Sequence, residues 1–264
     1  MSVMSVMTAP PPAAARGSAL GRLTLTELKL FTRGRALIGM LLTVAVPLLL
    51  LIIFGSIRSF NRPVKVYGGL TVLDVYVPIL LAFSLALLSL LTIPAVLAGY
   101  REMGVLRRLQ TTPTGPVRVL TAQLAVKLAA AAVTVILLLA VARIGYGVAW
   151  PGQLAGFAVA GLLTAAALMA IGLFIAAVAP TANVARGIGA IAFYPMMFFA
   201  GLWLPIPNMP PVLQHISHAT PLGAAVPALQ DATLGHWPTS LQLLTLAAYA
   251  VAFGLAAARL FRWE

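Results

Sequence analysis

Six long apolar runs dominate this chain of 264 residues. A helix needs roughly 20 apolar residues to cross the ~30 Å hydrocarbon core of a bilayer, and the runs are close to that length. Because unpaired backbone groups are costly in lipid, such runs fold as transmembrane helices. We therefore predict an all-α integral membrane protein with six spans, at about residues 36–57, 72–98, 119–142, 154–178, 188–204 and 241–258.

The scarcity of charge supports this prediction. Charged residues make up 8% of the chain and apolar residues 61%, whereas a soluble domain carries about 25% charged residues. Most of the surface must therefore face lipid, which leaves no room for a separate soluble catalytic domain. We expect residues 1–17 to form a disordered cytoplasmic tail and residues 18–264 a single transmembrane domain. The chain has no cysteine, which excludes disulfides and thiolate metal sites.

The basic residues set the orientation. A net charge of +12 could indicate nucleic acid, but the Lys and Arg residues lie between apolar runs rather than on one compact face. With the N-terminus in the cytoplasm, 13 of the 17 fall on the cytoplasmic side, Lys127 included, and 4 outside. This positive-inside bias predicts that both termini are cytoplasmic.

The stretch from Leu20 to Arg33 precedes the first span. Most of its apolar residues fall within an arc of about 160° on a helix, and its three basic residues lie on the opposite side. This pattern predicts an amphipathic helix at the membrane interface. Glu27 lies in the middle of the apolar arc. The preferred interpretation is a carboxylate that reaches water, and the alternative is a contact with a protein partner.

The cytoplasmic segment after the second span predicts a second amphipathic helix, closed by Pro113 and Pro116. Its apolar residues at helical spacing are Met103, Leu106 and Leu109, and its charged residues are Arg101, Glu102, Arg107 and Arg108. A helix at this position could pass force between the spans and a soluble partner. It could equally be a charged loop that only fixes topology, and composition alone favours neither.

The outer segment between the fifth and sixth spans has no Lys or Arg and seven prolines between residues 205 and 238. Its apolar pieces Val212–Ile216 and Leu222–Leu229 are too short to span a bilayer. Short apolar segments here are typical of re-entrant or interfacial helices. His215 and His218 have the spacing of metal ligands, but without nearby carboxylates we interpret them as interfacial polar residues and predict no metal site.

Asp74 and Arg143 lie near the outer ends of the second and third spans. A charged side chain costs little free energy near the membrane interface, so we interpret both as anchors. No acidic residue lies mid-span, which argues against a proton-coupled transporter.

The aromatic residues Tyr194, Phe198 and Phe199 could line a substrate path. They could also be ordinary membrane aromatics.

Several stretches together resemble a known family. They are LDVYVP at 73–78, YREMGVLRRLQTTP at 100–113 and LTAQLAVK at 120–127, followed by FFAG at 198–201, Pro205, MP at 209–210, LQ at 213–214 and PL at 221–222. This series resembles the membrane subunits of type 2 ABC exporters, from about Leu20 to Ala258. It is especially similar to the small permeases of the daunorubicin-resistance type. The chain departs from the family at Ile79, often Gly, and at Gln230, often Arg.

The resemblance implies a fold and a function. The fold would be an amphipathic N-terminal helix, six spans and external re-entrant helices between the fifth and sixth. The function would be export of an amphipathic drug, secondary metabolite or lipid across a bacterial inner membrane by two permease subunits, alike or different, and two separate ATP-binding subunits. The coupling helix seated in the ATP-binding subunit would comprise Arg101, Glu102, Met103, Gly104, Val105, Leu106, Arg107, Arg108 and Leu109.

No Gly-Lys pair occurs in the sequence, so it lacks the phosphate-binding loop in which backbone amides and a lysine hold ATP. ATP and Mg²⁺ would therefore bind to the partner subunit, and the chain itself would not be an enzyme. The alternative is a scaffold or immunity protein with the same fold. A secondary transporter or membrane enzyme is disfavoured, because no buried ionisable group is expected.

Overall fold

The computed structural model describes residues 35–64, 69–105 and 115–260. The predicted tail, the N-terminal amphipathic helix with Glu27, and the second half of the coupling segment lie outside these ranges. The described elements are the helices α1 (Arg35–Ser56), α2 (Val72–Ala86), α3 (Ile93–Glu102), α4 (Gly115–Tyr146), α5 (Leu154–Val178), α6 (Ala182–Phe199), α7 (Pro211–Ala219), α8 (Pro221–Thr233) and α9 (Ser240–Leu260), a π-helical segment (Leu87–Thr92) and a 3-10 turn (Ile206–Asn208).

Four helices in the described ranges are long and apolar enough to cross a membrane. They are Val72–Glu102, which joins α2, the π segment and α3, then Gln123–Tyr146 within α4, then α5 and α9. These agree with the second, third, fourth and sixth predicted spans, and the all-helical membrane fold is confirmed. Helices α1 and α6 lie where the first and fifth spans were predicted, but a total of six spans stays a prediction.

The fifth predicted span differs most from its helix. Residues 188–204 were predicted, whereas α6 runs from Ala182 to Phe199. The helix begins early because the Thr181 side chain accepts a hydrogen bond from the Val184 N–H at 3.3 Å and so caps the first turn. It ends early because Gly201 adopts φ +87°, a left-handed conformation that glycine tolerates.

The long helix Val72–Glu102 defines two ends of the bundle. At its start, Thr71 and Asp74 form a reciprocal cap: the Thr71 N–H donates to Asp74 Oδ2 at 2.9 Å, and the Asp74 N–H donates to Thr71 Oγ1 at 3.1 Å. We call this the Asp74 end. The opposite end, where α3 stops beside the α5–α6 connection, is the Arg101 end.

The π segment lies at the centre of the bundle. Its residues Leu88, Ser89 and Leu90 are buried, and the segment packs against α5 and α6. Both neighbouring helices place a glycine against its backbone. A Cβ atom added to Gly172 would overlap the carbonyl oxygen of Ser89, and one added to Gly189 would overlap that of Leu90. The three helices can therefore approach this closely only because two side chains are absent.

Helices α7 and α8 enter the bundle from the Asp74 end and turn back. Ala224 and Ala225 pack with Ala167 and Leu246, which belong to the interior turns of α5 and α9. The Tyr249 hydroxyl donates to the carbonyl of Ala219 at 3.0 Å at the corner between the two short helices. That the two short helices are re-entrant stays a prediction.

The corner is fixed by Ser217, which is fully buried. Its hydroxyl donates to the Phe199 carbonyl at 2.6 Å, one of the last carbonyls of α6 that has no partner within its own helix. A Cβ added to Gly223 would overlap the Ser217 carbonyl, so this corner also requires a glycine. The hydroxyl of Ser217 therefore joins the two short helices to the end of α6.

We expect Ser217→Ala to destabilise the protein by about 1–3 kcal/mol, because it leaves a buried carbonyl without its donor. Thermal unfolding of the purified chain in detergent measures this effect. Thr245→Ala is the matched control, because the Thr245 hydroxyl bonds only to Leu241 in its own helix. Equal unfolding temperatures for the two variants would contradict the role given to Ser217.

Candidate functional site

The Arg101 end contains the described half of the predicted coupling segment. Arg101 lies in the last turn of α3, and its guanidinium donates to the carbonyls of Ala177, at 3.3 Å, and Ala179. These carbonyls belong to the C-terminal end of α5, where the last groups have no intrahelical partner. Basic side chains are favourable at helix C-termini because the helix dipole is negative there. Arg101 thus caps α5 from another helix.

Glu102 makes the complementary contact. Its carboxylate accepts a hydrogen bond from the Ala182 N–H, the first residue of α6, at 3.0 Å. N–H groups of a first helical turn lack intrahelical acceptors, and an acidic side chain is favourable there. Arg101 and Glu102 together hold the end of α3 to the short connection between α5 and α6. We call this pair of contacts the α3 clamp.

Small residues let the clamp close. Ala98, Ala179 and Ala185 are buried together, with Ile188 packed against them. A Cβ atom at Gly99 would lie 3.7 Å from Ala182, which is ordinary contact. The clamp therefore rests on a packed base and not on polar contacts alone.

Met103 differs from its two neighbours. Its side chain is 64% exposed, although it is a large apolar residue. Gly104 follows with φ +67°, so the chain turns away from the axis of α3. Val105 is the last described residue of the coupling segment, and Leu106, Arg107, Arg108 and Leu109 lie outside the described ranges. Of the predicted partner contacts that are described, Met103 is available, while Arg101 and Glu102 are engaged within the chain.

The Asp74 end contains a cavity of about 290 Å³. The start of α2 and the start of the loop that follows α4 lie across the cavity from the end of α8. Its polar side chains are Asp74, Gln230 and Thr233, and the other lining residues are apolar or small. A second, smaller cavity of about 10 Å³ shares Val75, Pro207 and Gln230 with it and continues to Ile79 and Ala200. Gln230 thus lies between the two spaces.

Hydrogen bonds hold the walls of this cavity together. Gln230 Nε2 donates to the Val75 carbonyl at 3.3 Å, which joins α8 to α2. Gly152 and Gln153 donate through their N–H groups to the carbonyls of Thr233, at 3.1 Å, and Ala232, at 2.9 Å. Asp74 takes part through the cap described above. Helix α8 is therefore bonded directly to both α2 and the loop after α4, which line the cavity with it.

The three aromatic residues of the predicted substrate path lie on α6 but do not share one environment. Tyr194 is 61% exposed, and its ring lies edge-on to that of Phe193, with centroids 5.5 Å apart. Phe193 is buried against Phe83. Phe198 and Phe199 are half-buried and contact each other edge-on at 5.4 Å. None of the three lines the Asp74-end cavity, so their role in a path stays a prediction.

The remaining candidates have local structural roles. Asp74 caps α2, and Arg143 donates to the Val148 carbonyl at 3.4 Å, both in keeping with anchoring near helix ends. His215 Nδ1 lies 2.7 Å from the Pro211 carbonyl, one turn back in the same helix. No group of three potential metal ligands occurs among the described residues.

One expectation is wrong. No buried ionisable group was expected, and the assignment of Lys127 to the cytoplasmic side stays a prediction. The structure places Lys127 inside α4, within the candidate span Gln123–Tyr146, with 2% of its surface exposed. Lys127 follows the first residue of that span by four positions, so it lies near the Arg101 end, where it lines a small cavity with Ile93 and Leu97 of α3. The signal available in the sequence was its position inside the predicted span 119–142.

Comparison with known proteins adds a family to this geometry. No individual curated protein matches the chain. The sequence profile described as ABC-2 type transporter matches residues 19–234. The match includes the α3 clamp, the coupling segment, the π segment and both walls of the Asp74-end cavity. The chain therefore belongs to the ABC-2 type transporter family and is the membrane permease component of an ABC transporter.

Proposed function

We propose that the chain is the permease subunit of an ATP-driven exporter that moves an amphipathic substrate outward across a bacterial inner membrane, with both termini in the cytoplasm. A drug, a secondary metabolite or a lipid would suit so apolar a bundle, and the resemblance to permeases of the daunorubicin-resistance type supports the first two. The observation that carries the proposal is membership of the ABC-2 type transporter family in a chain without a Gly-Lys pair.

The motor would be a separate protein. Two ATP-binding subunits, which bind ATP and Mg²⁺, would associate with two permease subunits, either identical or homologous. With the orientation given by the positive-inside rule, the Arg101 end faces the cytoplasm, where these subunits would bind. The coupling segment, residues 101–109, is the proposed contact, and Glu27 is a further candidate because it interrupts an apolar surface.

The geometry of the Arg101 end supports separate roles for Met103, which would bind the partner, and for the α3 clamp, which would transmit movement. The exposed side chain of Met103 would insert into the ATP-binding subunit, since methionine is enriched at protein–protein interfaces. The α3 clamp would transmit the resulting movement to α5 and α6, because it bonds α3 to their connection. Tyr194, Phe198 and Phe199 on α6 would then belong to the part of the substrate path that moves.

Met103→Asp tests the anchor. The substitution places a charge where an apolar side chain is expected to be buried by the partner, and loss of a buried methionine costs about 1.5–3 kcal/mol. We therefore expect the affinity for the ATP-binding subunit to fall by at least about tenfold. Co-purification followed by titration of the reconstituted complex measures it.

Val212→Asp is the matched control, because Val212 is similarly exposed, at 70%, but lies on α7 at the opposite end. The Met103 anchor would be refuted if both variants bound the ATP-binding subunit as the natural chain does.

Transport itself is tested in proteoliposomes that contain the permease and its ATP-binding subunit. We expect ATP-dependent movement of a fluorescent amphipathic substrate, and stimulation of ATP hydrolysis by that substrate. A stable complex that hydrolyses ATP but moves none of the candidate substrates would favour the scaffold or immunity alternative. A chain that binds no ATPase would contradict both the motor and the coupling segment.

A further inference from the structure

The cavity at the Asp74 end has the properties of a small-molecule site. Its volume of about 290 Å³ lies near the lower limit of ligand pockets, roughly 300–1,000 Å³. At ~30 Å³ per water, it could hold about ten waters or one compact organic molecule. Its walls are largely apolar, with Leu70, Val75 and Leu234 among them, and its polar groups converge from two helices.

The described residues of the lining include one ionisable side chain, and it is acidic. That side chain is Asp74. Its Oδ2 accepts hydrogen bonds from the N–H and the hydroxyl of Thr71, at 2.9 Å and 2.6 Å. Its Oδ1 accepts none from the described residues, and the carboxylate is half-buried. Partial burial strengthens the attraction between this oxygen and a cation, because the effective dielectric constant is lower than in water.

The other two polar groups also present acceptors. The Thr233 hydroxyl donates its proton to the Leu229 carbonyl at 2.8 Å, which leaves its lone pairs for a ligand. Gln230 donates through Nε2 to the Val75 carbonyl at 3.3 Å, so its carbonyl oxygen is the free acceptor. A ligand in this cavity would thus contact a carboxylate, an amide oxygen and a hydroxyl oxygen. These three acceptors together favour a ligand that donates hydrogen bonds.

These properties select one class of ligand. A divalent metal ion prefers several carboxylate or carbonyl ligands, whereas one carboxylate between apolar walls suits an ammonium group attached to an apolar body. We propose that the Asp74-end cavity binds a compact organic monocation, with its ammonium group at Asp74 and its apolar part against Leu70, Val75 and Leu234. Such a ligand would join α2 to α8 and stabilise their contact.

The test uses the full chain in lipid nanodiscs, with 2-phenylethylammonium as the cation and 2-phenylethanol as its neutral analogue of similar shape. Empty nanodiscs correct for partition into lipid. We expect saturable binding of the cation to the natural chain, weakened at least tenfold by Asp74→Asn. Binding of the alcohol should stay unchanged. Asparagine retains an oxygen for the helix cap, so the fold should persist.

Two further variants complete the design. Asp231→Asn removes a carboxylate that bonds to Gln242 and does not line the cavity, so it should leave binding unchanged. Ala149→Leu adds volume to the cavity wall without touching the cap and should weaken both probes. The proposal is overturned if the natural chain shows no saturable cation binding, or if either Asp74→Asn or Ala149→Leu binds the cation as the natural chain does. Neither result depends on an ATP-binding subunit, so it leaves the proposed export function standing.

Discussion

Replacing Gly189 with alanine is expected to unfold or severely destabilise this protein, and Gly172→Ala is expected to do the same. In both cases the new Cβ would overlap a backbone carbonyl oxygen of the π segment, that of Leu90 for Gly189 and that of Ser89 for Gly172. Backbone cannot rotate aside as a side chain can, so the helices must separate. Overpacking a core costs typically 1–3 kcal/mol, and displacing whole helices costs more. The double variant should yield no monodisperse protein.

The same helices carry their own controls. Gly187 lies on α6 and Gly161 on α5, and a Cβ atom at either position would meet nothing within 4 Å. Alanine is the better helix former by about 1 kcal/mol, so Gly187→Ala and Gly161→Ala should unfold at the same or a higher temperature than the natural chain. The same Gly→Ala substitution is thus expected to lower stability beside the π segment and to keep or raise it at Gly161 and Gly187. Equal behaviour of all four variants in thermal unfolding would contradict the close contact at the π segment.

The sequence predicted the helices because apolar run length is a local property. Four predicted spans coincide with helices able to cross a membrane, and short helices occur where Val212–Ile216 and Leu222–Leu229 predicted them. The π segment could not be predicted in this way. Its carbonyls contact Gly172 and Gly189, which belong to helices distant in sequence. The spacing of residues 87–92 does not indicate that contact.

The coupling segment stays a prediction, but the structure shows contacts of its first two residues that the sequence did not reveal. The family resemblance implied that the segment after the second span couples the chain to an ATP-binding subunit, and every charged residue there was given to that partner. Arg101 and Glu102 instead bond to the α5–α6 connection. The sequence could not reveal this, because the unpaired backbone groups of a helix terminus attract a charged side chain only once folding has brought the two together. Gln230 was noted solely as a departure from the family, although it bonds α8 to α2 and lines the cavity.

The α3 clamp leads to the second large effect. Arg101→Met removes the donors to Ala177 and Ala179 while it keeps a long apolar stem. Hydrogen bonds to charged groups contribute roughly 1.5–3 kcal/mol, and the lower part of that range applies to a half-buried side chain. The chain should therefore still fold. In the proposed exporter, however, a movement of α3 would no longer reach α5 and α6, and we expect ATP-driven transport to fall at least tenfold.

Comparing binding with transport decides what Arg101 does. If the clamp acts within the chain, Arg101→Met keeps its affinity for the ATP-binding subunit and continues to support ATP hydrolysis, but loses transport. Met103→Asp should instead lose the affinity itself. Arg259→Met is the matched control, since Arg259 also lies in the last turn of a helix but caps no other helix in the described structure. Should Arg101→Met weaken association as strongly as Met103→Asp does, Arg101 would be a partner contact, and force would have to reach α6 through the packed alanines beneath it.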